Sequence, residues 1–212
     1  MPDREPALNS DTIVVATRNA GKLREFRSLL SASGLKILGL VEAGIDGDCE
    51  ETGSSFAENA RLKAREYSRH TDLPVLADDS GLEVFALDRR PGIYSARYAG
   101  EAASDAEKIS KLLAELRSAG GGRAARFVCA LSLARQGRVL CEAEGECRGL
   151  ISEAPRGSNG FGYDPIFLFP ELGRTYAELD EEEKNRTSHR ANAVRALLSR
   201  LGVLRVGGSS AN

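Results

Sequence analysis

The sequence has no excess of charge of either sign and no long apolar run. Its 29 basic and 31 acidic residues nearly cancel over 212 positions, so the chain as a whole carries no field that would hold a polyanion such as DNA. Anion recognition must therefore be local, and we expect a small anionic ligand rather than a nucleic acid. No window approaches the roughly 20 apolar residues of a membrane-spanning helix, so we expect no membrane partner.

Cysteine is also scarce, which argues against a zinc-finger domain and a disulfide scaffold. Cys49, Cys129, Cys141 and Cys147 form no CxxC pair and show no metal-ligand spacing with the two histidines. Four cysteines are too few to cross-link a chain of this length, and we expect reduced thiols and a cytoplasmic protein. The N-terminus has acids and prolines where a signal peptide needs a basic start and an apolar run.

What the chain does contain is enough apolar sequence for one sizeable core. Hydrophobic residues make up 42% and charged residues 28% of it, and no internal repeat or interdomain linker is visible. We predict a single two-lobed domain over residues 11–203, with flexible segments at 1–10 and 204–212. Strands and helices alternate, and one antiparallel hairpin is expected. This pattern predicts an α/β or α+β protein with a mixed sheet and a ligand cleft between its lobes.

Local signals place the elements of this fold. Ser-x-x-Glu capping boxes at 55–58 and 104–107 open two helices, the first running to about His70. Two strand-length segments meet near Gln136 and Gly137 and predict a long hairpin. Helices also follow the first strand and close the chain before Gly202. The strand-type segments are 12–17, 35–40, both sides of a polar interruption within 75–87, 125–137 and 138–151.

The segment TRNAGK (17–22) lies where the first strand gives way to a helix. A helix N-terminus offers unpaired N–H groups and a partial positive charge, so Thr17 and Asn19 as donors, Gly21 for close backbone approach and Lys22 as a point charge would suit phosphates. It is not a Walker A loop, because the first glycine and the hydroxyl residue after the lysine are missing. Taken alone, the pattern favours an ordinary N-cap with a solvated lysine.

Two adjacent carboxylates, Asp78 and Asp79, form the polar interruption of the apolar strand. Neighbours in a strand point to opposite faces, so both could be solvated only if the strand ends or bends there. Such a pair usually binds a hard cation or polarises water. An Asp-Asp-Ser-Gly turn is an equally good interpretation. Glu51 lies in an acidic loop whose carboxylates are, by default, solvated.

Three further groups have a functional and a plainer interpretation. Lys63, one helical turn after Asn59, can reach a phosphate or the solvent, and the sequence alone favours the solvent. The segment GFGYDP (160–165) suits stacking on a planar base, or packing as an aromatic turn. In KNRTSHR (184–190), two cations follow the predicted N-cap Ser188, where they oppose the helix dipole unless they meet an anion or a carbonyl oxygen.

Taken in order, six segments resemble the Ham1/RdgB family of inosine triphosphate pyrophosphatases. The likeness runs from about residue 13 to residue 201, and six motifs in sequence order make it specific. The segments are TRNAGK (17–22), ETGSSFAENARLKA (51–64), ADDSGLEV (77–84), PGIYSARYAG (91–100), GFGYDPIF (160–167) and KNRTSHR (184–190).

The resemblance implies a Mg²⁺-dependent, homodimeric enzyme that hydrolyses ITP, dITP, XTP and dXTP to the monophosphate and pyrophosphate. It implies a long central mixed sheet flanked by helices, with two lobes around the active-site cleft. Asp79 is implied as general base and, with Glu51, as magnesium ligand, and Asp78 is a further candidate ligand. The implied substrate-binding residues are Thr17, Arg18, Asn19, Ala20, Gly21, Lys22, Lys63, Ser80, Phe161, Gly162, Tyr163, Asp164, Lys184, His189 and Arg190.

Two other functions stay open at this point. A Maf-like pyrophosphatase acting on pyrimidine or other modified nucleotides would keep the acids but need a different base pocket, which the FGYD and SHR segments argue against. A nucleotide-binding regulator without catalysis would not require Glu51, Asp78 and Asp79 all to be acidic.

Overall fold

The computed structural model of the protein describes residues 10–202. The predicted tail at 204–212 and all but Ser10 of the predicted extension at 1–10 lie outside this range. The strands of the described chain are β1 (Thr12–Ala16), β2 (Lys36–Gly39), β3 (Val75–Val84), β4 (Ala124–Arg135), β5 (Arg138–Ile151), β6 (Phe167–Phe169) and β7 (Arg174–Thr175). They form one mixed sheet in the order β2-β1-β3-β4-β5-β6-β7, which confirms the predicted fold class. β1 is parallel to β2 and β3, and the remaining pairs are antiparallel.

Side-chain caps set the beginnings of the helices. Ser104 and Glu107 form the predicted capping box of the third helix, whereas at the second helix Ser55 is the cap and Glu58 accepts instead from Ser54. The described helices are α1 (Ala20–Leu30), α2 (Phe56–Tyr67), α3 (Asp105–Ala119), α4 (Glu181–Thr187) and α5 (His189–Arg200), with a 3-10 helix at Gly92–Arg97. None of those helices combines the length and apolar character needed to cross a bilayer.

β3 runs through the centre of the sheet without a break. Its pairing with β4 is continuous from Val75 to Val84, and all of its residues except Ser80 are buried. The strand therefore neither ends nor forms a turn at the two aspartates, and neither aspartate is solvated. Because strand neighbours alternate, Asp78 and Asp79 enter different layers of the protein.

Different helices cover the two faces of β3. On one face Leu76 packs with residues of α1 and α5, including Phe26 and Val194. On the other face Val75 and Ala77 pack beneath α2. Asp78 has the parity of Leu76 and Asp79 that of Ala77, so the sheet itself separates the two carboxylates.

The long hairpin extends the sheet beyond β3. β4 and β5 are joined by Gln136 and Gly137, both with positive φ (50° and 77°), as a two-residue turn matched to strand twist requires. Beyond the hairpin, leucines of α3 pack with Phe127, Phe167 and Tyr176 in a second apolar cluster.

Candidate active site

The N-terminus of α1 is both a helix cap and part of the cleft. Asn19 Oδ1 accepts a hydrogen bond from the backbone N–H of Lys22 at 3.0 Å, so the cap favoured by the sequence is present. The side chain of Lys22, however, is only 18% exposed, and its Nζ lies 2.5 Å from Asp78 Oδ2. The lysine is therefore an inward-facing cation and not a solvated one.

The other members of the TRNAGK segment differ in position. Arg18 donates to Asp48 Oδ1 at 2.7 Å and is directed to the loop beside α1, away from Lys22. Thr17 Oγ1 accepts from the backbone N–H of Asn19 at 3.2 Å, and Ala20 is exposed. A Cβ on Gly21 would lie 2.6 Å from a ring carbon of Phe161, so this glycine permits the aromatic segment to pack against α1.

Asp78 is the buried acceptor of the α1 and α5 face. Besides Lys22, its carboxylate accepts from Ser80 Oγ and Cys129 Sγ, both at 3.1 Å, and Arg190 Nε lies 3.6 Å away. Burial works to raise the pKa of Asp78, but Lys22 and Arg190 outweigh it, so the pKa lies far below its usual range. The carboxylate of Asp78 is therefore charged, and it holds Lys22, Ser80 and Arg190 in place.

Asp79 faces α2 and has a different set of neighbours. Asn59 Nδ2 donates to its Oδ2 at 3.1 Å, and Lys63 Nζ lies 3.4 Å from its Oδ1. Lys63 also donates to Glu51 Oε1 at 2.8 Å and to the carbonyl oxygen of Asp78 at 2.7 Å. Burial raises the pKa of Asp79, Lys63 lowers it and Glu51 raises it again, with a net value above the ordinary 3.8. The carboxylate is thus suited to accept a proton or bind a cation.

The aromatic and basic segments of the C-terminal third meet the α1 face. Lys184 Nζ donates to Asp164 Oδ2 at 2.6 Å and to Glu25 Oε1 at 2.7 Å, and it lies 5.3 Å from the centre of the Phe161 ring. Arg190 donates to Ser80 Oγ at 2.8 Å and to Glu25. One pocket is lined by Asn19, Lys22, Ser80, Phe161, Gly162, Tyr163, Asp164, Lys184, His189 and Arg190 among others. Ten of the predicted residues therefore surround one pocket.

His189 contributes an uncharged polar group to this pocket. Its ring stacks on Phe127 with centroids 4.7 Å apart, and burial followed by the charge of Arg190 holds its pKa well below 6.5. Its Nδ1 is buried without a hydrogen-bond partner among residues 10–202. Since a buried polar atom usually has a partner, this nitrogen is a candidate contact for a ligand.

Comparison with known proteins identifies the family. A sequence model of the Ham1 family matches residues 13–200. The chain belongs to the Ham1 family. It is 54% identical over 186 residues to the dITP/XTP pyrophosphatase of Geobacillus kaustophilus, covering 87% of this chain and 91% of that protein. It is also 54% identical over 187 residues to the protein of the same name from Gloeobacter violaceus, covering 88% and 92%.

Solved structures of the same family support the fold. A Ham1 protein from Coxiella burnetii superposes with a TM-score of 0.82 at 45% identity, covering 91% of this chain and 99% of that one. The Staphylococcus aureus Ham1 protein gives a TM-score of 0.79 at 44% identity, covering 90% and 98%. The family resemblance of the six sequence segments is thus confirmed.

The acids of this Ham1 chain fit a hard cation with few protein ligands. Glu51 and Asp79 share one side of β3 and are bridged by Lys63, whereas Asp78 is on the other side and is not brought to them. Within residues 10–202 no three His, Cys, Asp or Glu side chains converge as a ready metal site. Carboxylate oxygens suit Mg²⁺, which commonly takes one or two carboxylates and completes its shell with water and phosphate oxygens.

The sequence predictions did not include two residues that contact the candidate site. The side chain of Glu25 is only 14% exposed and joins Lys184 to Arg190. In the sequence, however, it is one of several charged residues of α1 and looks like an ordinary solvated acid. Its position three residues after Lys22, on the same face of the helix, was the available signal. Asp105 begins α3 and accepts from the backbone N–H of Gly162 at 2.6 Å, a contact between distant segments for which the sequence contains no signal.

Proposed function

We propose that this protein hydrolyses deaminated purine nucleoside triphosphates, namely ITP, dITP, XTP and dXTP, to the monophosphate and pyrophosphate. The observation that carries the proposal is the convergence in one pocket of the α1 N-terminus with the aromatic and basic C-terminal segments. Asp79 lies on the adjoining strand β3, and Lys63 of α2 joins it to Glu51 in the preceding loop. The names of the curated relatives support the same substrate class.

In the proposed reaction, water attacks the α-phosphorus, the bond to the bridging oxygen of the β-phosphate breaks, and pyrophosphate leaves. Asp79 accepts the proton of the attacking water, for which its raised pKa suits it better than Asp78. Lys22 and Lys63 exchange carboxylate partners for phosphate oxygens when the triphosphate binds. Mg²⁺, when held by Glu51 and Asp79, would neutralise phosphate charge.

Base selection is assigned to the pocket around Phe161. The ring offers a stacking face, and Lys184 and Arg190 lie within 6 Å of its centre. Arg190, which can only donate, suits the 6-oxygen of hypoxanthine or xanthine better than the 6-amino group of adenine. Neutral His189 can present a donor to the same oxygen through Nδ1, which has no hydrogen-bond partner among residues 10–202. A buried donor left facing a donor costs roughly 1–3 kcal/mol, so we propose about 5- to 150-fold selection against ATP from the Arg190 contact.

Pyrophosphate release from ITP, GTP and dTTP, each with and without Mg²⁺, tests the proposal. We expect Mg²⁺-dependent release that is strongest with ITP. A preference for dTTP would favour a Maf-like activity, and absence of release from every substrate would favour a non-catalytic regulator. Equal rates on all three would overturn the assignment of the base pocket.

The role of Asp79 is tested by Asp79→Asn protein at saturating Mg²⁺. Removing a general base typically costs about 100-fold or more in rate, and we expect kcat to fall at least that far. Asp48→Asn, which alters an exposed acid that contacts Arg18, is the control and should retain wild-type kcat. Near wild-type turnover by Asp79→Asn would refute the assigned role.

We further propose that the protein is a cytoplasmic homodimer, as the family resemblance implies. Large apolar side chains on its surface, such as Tyr94 (55% exposed) and Leu62 (38%), are compatible with a second copy. Light scattering during size-exclusion chromatography at micromolar concentration tests this. A mass of one chain, 22.7 kDa, at every concentration would contradict it.

A further inference from the structure

The carboxylate of Asp79 is held by a side chain outside the predicted site residues. Asn59 is fully buried, and both ends of its amide are bonded. Its Oδ1 accepts from the backbone N–H of Gly53 at 2.8 Å, and its Nδ2 donates to Asp79 Oδ2 at 3.1 Å. One side chain of α2 therefore connects the loop that carries Glu51 to the acid on β3.

The direction of this hydrogen-bond chain is fixed by chemistry. A backbone N–H can only donate, so the atom of Asn59 nearest to Gly53 must be its oxygen. The NH₂ group must then face Asp79, whose Oδ2 accepts. An amide in the opposite orientation would leave two donors facing each other at Gly53 and two acceptors facing each other at Asp79, both buried and both unfavourable.

The contact at Gly53 requires a residue without a side chain. A Cβ on Gly53 would lie 2.7 Å from Asn59 Oδ1 and 3.0 Å from the Asn59 backbone nitrogen, so the loop can approach the amide only at a glycine. One turn further along α2, Lys63 contacts the other carboxylate oxygen, Oδ1 of Asp79. The two oxygens of Asp79 are thus held by two side chains four residues apart on one helix face.

We propose that Asn59 is a positioning residue for the hydrolytic reaction: it fixes the carboxylate plane of Asp79 and the distance between Asp79 and the Glu51 loop. This inference rests on the proposed function. When Lys63 turns to a phosphate oxygen, Asn59 is the side chain that keeps Asp79 oriented. Asn59 itself does not touch the nucleotide, so its loss should reduce turnover and not substrate affinity.

The test compares Asn59→Ala with a matched variant, Glu58→Ala. Glu58 ties the same loop to the same helix turn through Ser54 (2.7 Å) but does not contact Asp79. Misplacing a reacting group by 1 Å can cost about 100-fold, so we expect kcat for ITP in Asn59→Ala to fall by at least about tenfold. Its KM and the Kd for ITP measured by equilibrium dialysis in EDTA should stay near the wild-type values. Glu58→Ala should lower Tm but retain wild-type kcat.

Asn59→Asp tests the hydrogen bond to Asp79 separately from the one to Gly53. It also replaces the alanine variant if that variant fails to fold. It keeps an acceptor for Gly53 but replaces the donor to Asp79 with an oxygen, and kcat should again fall while ITP binding persists. Wild-type kcat in either Asn59 variant would overturn the inference. A kcat loss in Glu58→Ala equal to that of Asn59→Ala would also overturn it, because general loosening of the loop would then suffice. If wild-type protein released no pyrophosphate from ITP, the proposed function itself would fail.

Discussion

Neutralising the buried carboxylate of Asp78 tests how the α1 and α5 side of the site is held together. In Asp78→Asn protein, Lys22 loses a partner at 2.5 Å and Arg190 one at 3.6 Å. Removing one member of a buried ion pair typically costs 3–5 kcal/mol, because the remaining charge stays in a poorly solvated place. We expect the lower end, about 3 kcal/mol, because Arg190 keeps Glu25 and Lys22 is partly exposed.

Urea unfolding followed by circular dichroism measures this loss. The midpoint should fall with an unchanged slope, and Tm should fall by roughly 6–12 °C for a chain of this size. Glu66→Gln is the control, because its ion pair with Arg69 is exposed on both sides and exposed pairs contribute about 1 kcal/mol or less.

A loss in Asp78→Asn no larger than that of Glu66→Gln would refute the reasoning. The double variant Lys22→Met with Asp78→Asn provides a second check. If the two charges stabilise each other, the double variant should lose less stability than the sum of the two single variants. Strict additivity would contradict the pairing.

Three other outcomes are expected. Lys22→Ala should lower kcat/KM for ITP at least about tenfold, since charge-assisted phosphate contacts contribute about 1.5–3 kcal/mol, and an unchanged value would leave the α1 N-terminus as a cap only. The folded-state pKa of His189 lies below its ordinary 6.5, so the unfolded chain binds more protons and the protein loses stability as pH falls through about 6.5. This loss should be smaller in His189→Phe protein. Identical slopes of stability against pH in the two proteins would contradict the expectation. Gly145→Ala would bring a Cβ within 2.2 Å of the Ala193 nitrogen and should lower the unfolding free energy by about 1–3 kcal/mol. Gly122→Ala is the control, because the space around Gly122 is open, and it should cause no such loss. Equal losses in the two variants would argue against the close contact.

Local signals in the sequence predicted most of the elements. The Ser104 capping box, the Ser188 cap and the turn at Gln136 and Gly137 are confirmed because each depends on a few neighbouring residues. Short-range hydrogen bonds and allowed φ values determine such features with little help from the rest of the fold.

α4 was not predicted, because its sequence EEEKNRT has no apolar periodicity. Its first turn is nevertheless capped by Asp180, with Glu183 completing the capping box. Its buried residue Lys184 is held by Asp164 and Glu25 and not by apolar packing. Hydrophobic pattern alone could not find a helix stabilised in this way.

The arrangement around the two aspartates was only partly predictable. Strand alternation places Asp78 and Asp79 on opposite faces of the sheet, and this separation was predictable from their adjacent positions in the sequence. Which helix covers each face depends on the order of the strands, and that order decides that Lys22 meets Asp78 while Lys63 meets Asp79. The same limit explains why Glu25 was missed and why the sequence assigned Asn59 no role, since their partners lie on other elements.

The continuous central strand has an evolutionary consequence. Within the proposed function, residues that select the base lie on the α1 and α5 side of β3 together with Lys22, and Asp79, Lys63 and Asn59 lie on the α2 side. A substitution at Phe161 or His189 changes packing in one layer, while the positions of Asp79 and Asn59 are set in the other. Under the proposed function, a lineage with this architecture could therefore change its preferred nucleobase through substitutions in one layer while the hydrolytic side chains of the other layer keep their positions.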